Sequence, residues 1–422
     1  MVVVSNHPFR PLRRRSVQLI WGAGVVSDAG TWVQLIVVGS LVARNTNSAF
    51  QTGLIALATF MPQGLSAPIG GLLADRFDRR KVFACALTGQ AIATALLAAL
   101  LGSGVRSPPA LAGMILCASV AGSLGAPSYA AMLPDLVPPE ELMAMLALGI
   151  YSWNAGRIVG PVVGTVMARA AGPSWTVTLN AVTFAGLVVA VLLVRRPFAP
   201  HDGEQGSIRE RLVDGWVTAR SVPSCAFGLT AIVLLNVCVG PFTGLIPAFA
   251  RSIFHGGTAM AGAFSCLQGL GAIVGAMAVT ALAPRYGRTR LIAILVASMA
   301  VSYLGYGLSP RPWIAGVFVM FVGASVASLF TTMTFIIQRD APAAHRGRVM
   351  ATMQGTIGFS FGVGIVILGA IGDLANLRVA FAGAAILFAT LALLLNRRLP
   401  QWRTLVDHPQ VALAGTAAIR PN

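Results

Sequence analysis

The chain contains twelve stretches of about 20 apolar residues each, separated mostly by short loops holding Pro, Gly or Arg. A helix that crosses a bilayer needs roughly 20 such residues. Twelve crossings take up most of the 422 residues and leave little for a soluble domain. Only 10% of the residues are charged, against about 25% in soluble domains, so the chain cannot cover itself with a polar surface. The expected fold is an all-α membrane protein. Its spans are placed near 17–43, 53–74, 82–104, 109–133, 142–168 and 174–194, then 225–250, 258–283, 290–308, 312–337, 348–371 and 377–396. This divides the chain into an N-terminal six-helix bundle (1–194), a linker (195–224), a C-terminal six-helix bundle (225–397) and a tail (398–422).

The formal charge of +17 invites a nucleic-acid reading, but the positions of the charges argue otherwise. With the N-terminus inside, 23 Arg and Lys fall on the inner side and six, one per loop, on the outer side: Arg44, Arg106, Arg169, Arg251, Arg311 and Arg378. This is the positive-inside bias of a multi-pass protein in a bacterial-type inner membrane. It puts both termini in the cytoplasm. The loop between spans 4 and 5 breaks the rule, with Asp135, Glu140 and Glu141 and no base. Pro138-Pro139-Glu140-Glu141 reads there as a helix start, where acids suit the positive end of the dipole. The Arg13-Arg14-Arg15 cluster precedes an apolar run of about 28 residues, too long for a cleaved signal core.

Several chemistries find no support. Cys85, Cys117, Cys225, Cys238 and Cys266 are scattered through apolar segments without CxxC spacing and read as buried packing residues. The five histidines, His7, His201, His255, His345 and His408, fall in loops or tails, so neither a metal nor an intramembrane histidine relay is expected. The single lysine, Lys81, follows no Walker-type glycine loop, which argues against a nucleotide. No cofactor and no enzymatic activity are expected. In the linker, Ser207-Ile208-Arg209-Glu210 is a capping-box pattern. Ile208, Leu212, Val213, Trp216 and Val217 then share one helical face, as in a helix lying on the inner membrane surface.

The halves echo each other. Ala74-Asp75-Arg76-Phe77-Asp78-Arg79 aligns with Ala283-Pro284-Arg285-Tyr286-Gly287-Arg288, and Asp135 before span 5 aligns with Asp340 before span 11. A bundle followed by its parallel copy is the plan of a transporter.

Gly71-Leu72-Leu73-Ala74-Asp75-Arg76-Phe77-Asp78-Arg79-Arg80-Lys81 resembles the signature loop of the major facilitator superfamily. Gly71, Leu73, Asp75, Arg76, Arg79 and Arg80 match it, and Asp78 stands where that family usually has glycine. Aspartate tolerates left-handed backbone better than most residues. The resemblance implies twelve helices working by alternating access. It also implies a cytoplasmic latch built from Gly71, Asp75, Arg76, Arg79 and Arg80 with Arg285, Arg288 and Arg348, in which Asp75 meets the start of span 11. Span 5 carries Gly156-Arg157-Ile158-Val159-Gly160-Pro161-Val162-Val163-Gly164. Glycines four apart let a neighbouring helix approach closely, and Pro161 permits a kink. The run resembles the antiporter motif of exporters, with Thr165 in place of its final glycine. Ala126-Pro127, Leu133-Pro134-Asp135-Leu136-Val137-Pro138 and Arg346-Gly347-Arg348-Val349-Met350 narrow the resemblance to the secretion-effector branch, which includes enterobactin-exporter-like and macrolide-efflux-like proteins.

Asp28 and Arg157 alone lie deep inside apolar runs. An intramembrane charge costs about 2.5–3.5 kcal/mol on insertion scales and marks a functional site by default. Both fall about 18–22 Å from the inner end of their spans, near the midplane. Burial disfavours a carboxylate's charge and a nearby guanidinium favours it, so proton affinity can differ between two conformations. The pair is expected to bind protons or substrate, with Arg157 holding Asp28 ionised; the alternatives are a static ion pair and two side chains that never meet. Gln34, Gln63, Asn154, Asn180, Asn236, Gln268 and Gln354 are further polar residues within spans, several of them candidates for a cavity lining. Trp32, Trp153, Phe242 and Phe264 are candidate apolar surface for it. The expected function is export of a small amphiphilic molecule by proton antiport, from a monomer. The alternatives are a metabolite importer on the same fold and a non-transporting receptor or scaffold.

Overall fold

In a computed structural model, which describes residues 9–194, 198, 208–342 and 345–398, the described chain forms fifteen α-helices and no strand. The first seven are α1 (Arg15–Thr46), α2 (Ala49–Leu65), α3 (Ala67–Arg76), α4 (Arg79–Gly102), α5 (Pro108–Leu136), α6 (Leu142–Ala170) and α7 (Gly172–Leu193). The linker helix α8 (Ile208–Ser221) follows. Then come α9 (Pro223–Cys238), α10 (Phe242–Phe254), α11 (Thr258–Tyr286), α12 (Arg288–Leu308), α13 (Pro312–Asp340), α14 (Arg346–Leu374) and α15 (Leu377–Arg398). Eleven segments of the described chain are long and apolar enough to cross a membrane, with α9 and α10 counted as one. The twelfth span is α2 and α3 together, broken at Ser66 between Pro62 and Pro68. Each proline removes a helical hydrogen bond. Span 7 is broken likewise, between Cys238 and Phe242 around Gly240 and Pro241.

Local chemistry sets the helix ends. Proline opens α5, α9 and α13, where its missing N–H is not needed. Ser48 caps α2 by accepting from the Gln51 amide at 3.0 Å. Asp78 caps α4 in the same way, accepting from the Lys81 amide at 3.0 Å. Its φ is −55°, so the left-handed turn expected of this position does not form. A capping carboxylate has taken the place of a flexible glycine. The repeat partner Gly287, which precedes α12, has φ +73° and does use glycine's freedom. Asp78→Ala is therefore expected to cost about 1 kcal/mol and Asp78→Gly only a few tenths, as thermal unfolding in detergent would show.

The described chain divides into two compact units. The first runs to Ile208 and includes Gly244–Cys266. In it α4 packs on α5 and α7, α1 on α6 and α7, and α2 on α5. Its core includes Val17, Ile20, Phe83, Leu87, Met132 and Leu148. α10 from Gly244 onward joins this unit, where a β-carbon on Gly39 would lie 3.2 Å from the Pro247 ring. The second unit comprises Arg209–Thr243 and the chain from Leu267. In it α12 packs on α13 and α15, and α9 on α13 and α14. Its core holds a ring cluster of Phe242, Tyr303, Tyr306 and Phe381, with centroids 5.4–6.2 Å apart.

The repeat seen in sequence extends to helix crossings. In the first unit Gly160 of α6 lies against Ala29, Trp32 and Val33 of α1. In the second, Gly364 of α14 lies against Val237 of α9 and Pro241 just beyond it. Both are span 5-type glycines backed onto a span 1-type helix.

Two expectations need correction. Cys85 and Cys117 are exposed, while Cys225 and Cys238 are buried and Cys266 is half-buried. A small apolar side chain suits a lipid-facing site as well as a core, so composition did not separate the two. The acids between spans 4 and 5 also do more than suit a dipole. Glu141 closes a short 3-10 turn (Pro139–Glu141) and is buried between Arg10 at 3.1 Å and Arg14 at 3.4 Å. Asp135 meets Arg79 at 3.6 Å. These acids answer bases of the inner side. Ser207 of the expected capping box, like His7, His201, His408 and the tail beyond Arg398, lies outside the described residues.

Candidate functional site: the α1–α6 crossing

The glycines of span 5 form the site by removing side chains where α6 crosses α1. A β-carbon on Gly156 would lie 2.8 Å from the Asp28 carbonyl carbon and the Ala29 amide nitrogen. One on Gly160 would lie 2.6 Å from the Ala29 oxygen and 2.7 Å from the Trp32 β-carbon. Gly164 continues the contact on Val33 and Val37 at 3.2–3.4 Å. Pro161 is buried in this stripe. Thr165, in place of the motif's last glycine, donates to the Pro161 carbonyl at 2.8 Å. A β-carbon on Gly262 of α11 would meet its hydroxyl at 2.9 Å.

The crossing brings Asp28 and Arg157 to one level, but they do not pair. Asp28 Oδ2 accepts a hydrogen bond from the buried Ser152 hydroxyl, one turn before Gly156. The Arg157 guanidinium instead lies over the Trp32 ring, 4.7 Å from its centroid, one turn beyond Asp28. The two side chains thus leave the contact point in opposite directions along the helices, and no ion pair joins them. This corrects the expectation that Arg157 directly holds Asp28. A guanidinium on a tryptophan face gains a cation–π attraction that strengthens on desolvation. Trp32 is 1% exposed and contacts Trp153 edge-on at 5.4 Å and Phe60 at 6.2 Å. Two donors in this group, Arg157 Nε and Trp32 Nε1, are buried with no hydrogen-bond acceptor. Behind the crossing, α1, α6 and α7 leave an apolar crevice of about 250 Å³ lined by Val25, Val26, Ala29, Val33, Val159 and Val163 among others. Neither Asp28 nor Arg157 lines it.

The other polar candidates separate by partner. Gln34 Oε1 accepts from Asn180 Nδ2 at 2.8 Å within the packed α1–α7 contact, and Asn180 is 1% exposed. Asn154 and Asn236 donate to carbonyls of their own helices, Ile150 and Ile232, both at 2.9 Å. Gln268 donates to Thr243 at 2.8 Å while its Oε1 is buried without a partner. Gln63 and Gln354 are exposed. Trp32, Phe242 and Phe264 are buried packing residues, whereas Trp153 is half-buried.

The signature-loop residues take distinct places. Arg79 donates to the Ala131 carbonyl at 3.2 Å and Arg80 to the Val194 carbonyl at 2.8 Å, tying the start of α4 to α5 and to the end of α7. Asp75 is half-buried, Arg76 and Arg285 are exposed, and Arg288 lies over Phe335 at 4.7 Å. Gly71 has open space where a β-carbon would go, whereas one on Gly70 would lie 2.5 Å from the Leu124 oxygen. Gly70→Ala is therefore expected to lower thermal stability and Gly71→Ala, with open space and the better helix former, not to lower it.

Arg348, at the start of α14, donates to Asp214 Oδ2 at 2.6 Å, and His345 Nδ1 lies 2.9 Å from the same oxygen. Hydrogen bonds from Arg348 first and His345 second hold the half-buried Asp214 carboxyl below the usual aspartate range. A lowered carboxyl pKa means that this contact stabilises above the ordinary aspartate value and is lost as pH falls through the lowered one, so it is fully present at neutral pH. A β-carbon on Gly215 would lie 2.5 Å from the Thr352 hydroxyl and 2.6 Å from the Arg348 oxygen, so α8 seats directly on α14.

Sequence reasoning did not single out Ser152, Asp214 or the pairing of Glu141. For Ser152 a signal existed: it lies four residues before Gly156 and hence on the same face of α6.

Comparison with known proteins agrees with this architecture. The chain matches the transmembrane secretion effector family over residues 6–416. It is 28% identical over 412 residues to the multidrug efflux pump Tap of Mycobacterium tuberculosis, covering 93% of this chain and 95% of that one. It is 26% identical over 379 residues to the enterobactin exporter EntS of Salmonella typhimurium, covering 88% and 89%. Among solved structures it is similar to a bacterial homolog of the human lysosomal transporter Spinster, with a TM-score of 0.70 at 12% identity over 92% of this chain and 98% of that one. The chain therefore belongs to the transmembrane secretion effector family of the major facilitator superfamily and has that superfamily's twelve-span, all-α fold.

Proposed function

We propose that the protein is a proton-driven exporter of a small amphiphilic compound, working by alternating access in a bacterial inner membrane with both termini in the cytoplasm. One observation carries the reading: Asp28 is an intramembrane carboxylate whose hydrogen-bond donor is a neutral hydroxyl, with no ion pair among the described residues. Such a group takes up a proton more readily than one neutralised by a guanidinium. Arg157 lies over Trp32, one turn further along α1, and does not neutralise Asp28. The proposed substrate has an apolar body and acceptor oxygens, as a macrolide-like drug or a siderophore has. The multidrug and enterobactin export named for the two relatives favours the same class.

The signature loop has the second role. Asp75, Arg76, Arg79 and Arg80, with Arg285, Arg288 and Arg348, are proposed to latch the cytoplasmic side between transport steps. Energy comes from a gradient, and the protein transports rather than catalyses.

The test is accumulation of fluorescent amphiphiles and macrolides in efflux-deficient bacteria, with and without the protein and with and without a protonophore. Lower accumulation that requires both the protein and the proton gradient supports the reading. Accumulation equal to that of empty cells across the panel, with the protein present in the membrane, counts against it.

A further inference from the structure

The linker helix α8 has two faces of different chemistry. Gly215 and the fully buried Ala219 lie on the face toward α14, and Asp214 reaches Arg348 and His345 from its edge. Val213, Trp216, Val217 and Arg220 lie on the opposite stripe and are exposed, the three apolar ones by 41–58%. Helical spacing of three, four and seven residues places these four side by side. The Arg220 guanidinium covers the Trp216 ring at 5.1 Å. Glu210 sits at the other end of the stripe, a turn before Asp214.

The level of this stripe follows from what α8 is seated on. Arg348 and Thr352 belong to the first two turns of α14, a membrane-length helix. A helix resting on those turns lies at the bilayer boundary. Tryptophan is favoured at that depth because its ring is apolar and its N–H polar. A basic residue beside it faces a leaflet whose anionic lipids attract it by about 1 kcal/mol per Lys or Arg. Arg220 on Trp216 is such a combination, with Val213 and Val217 reaching toward the acyl chains.

We infer that the Val213–Trp216–Val217–Arg220 face of α8 docks on the anionic phospholipid surface of the inner leaflet, so that α8 straps the start of span 11 to the membrane through Asp214 and Arg348. The sequence foresees a surface helix. The structure adds the second attachment, which makes lipid contact and span 11 parts of one mechanical unit.

The experiment is hydrogen–deuterium exchange on the full-length protein in liposomes of phosphatidylcholine alone or of phosphatidylcholine with phosphatidylglycerol. With phosphatidylglycerol, amides of α8 and of the first turns of α14 exchange about fivefold more slowly, the factor that one basic residue at an anionic surface supplies. Arg220→Gln removes that difference, and Trp216→Ser raises exchange in both compositions. Arg220 is exposed and its guanidinium lies over the Trp216 ring of the same helix, so its variant keeps the test open if Trp216→Ser fails to fold. Equal exchange in the two compositions overturns the inference. So does slowing that follows protein density instead of lipid charge, which would assign the face to a second copy of the chain.

Discussion

Asp28→Asn is expected to give a protein that reaches the membrane in normal amount and no longer lowers accumulation of its substrate below that of cells without it. Asparagine has the shape of aspartate, and its carbonyl oxygen can still accept from Ser152, so the α1–α6 crossing should be preserved. What it lacks is a group that takes up and releases a proton. Asp28→Glu retains the carboxyl and should keep part of the activity. Ser152→Ala keeps Asp28 itself but removes its hydrogen bond. It should change the pH dependence of transport without abolishing it. An Asp28→Asn protein that exports at the wild-type rate and still responds to a protonophore would remove Asp28 from the coupling step.

The second large effect is structural. Gly160→Val should lower stability by about 1–3 kcal/mol or more, seen as a drop of several degrees in unfolding temperature of the detergent-purified protein. The reason is specific to its neighbours. The first added carbon would meet the Ala29 carbonyl oxygen and the Trp32 β-carbon at 2.6–2.7 Å, and backbone cannot move aside as a flexible side-chain end can. Because Trp32 carries Arg157 on its ring, transport should fall with stability. Gly149→Val is the control on the same helix. Nothing lies within 4 Å of a β-carbon there, so its unfolding temperature should not drop. Equal losses at both positions would mean that helix propensity, not close approach to α1, explains the glycines.

The fold was legible because bilayer physics constrains it tightly. Apolar run length, inner-side arginines and the paired loops at Asp75–Arg79 and Pro284–Arg288 all pointed to twelve spans in two halves. The breaks in spans 2 and 7 were less legible, since proline within a span signals a kink without saying whether the helix continues past it. The site was legible in part. Scarcity of charge singled out Asp28 and Arg157, and the glycine spacing gave the crossing that brings them together. Their separate partners were not legible, because sequence gives depth along a helix but not the direction a side chain takes at a crossing. A serine in an apolar run is too common to stand out, which hid Ser152. Asp214 was hidden for a different reason: the linker's apolar face drew the reading, and the helix's attachment depends on tertiary packing at Gly215. At position 78 the rule that turns need glycine gave way to local capping chemistry.

The central claim is that substrate movement one way is coupled to proton movement the other way. It is tested most directly in everted membrane vesicles whose interior has been acidified by respiration, with a pH-sensitive dye reporting the gradient. Adding a transported amphiphile to vesicles containing the wild-type protein should raise the internal pH at once, as protons leave in exchange for entering substrate. Vesicles with Asp28→Asn should show no response. No pH change with wild type while substrate is being transported, or further acidification, would contradict proton antiport.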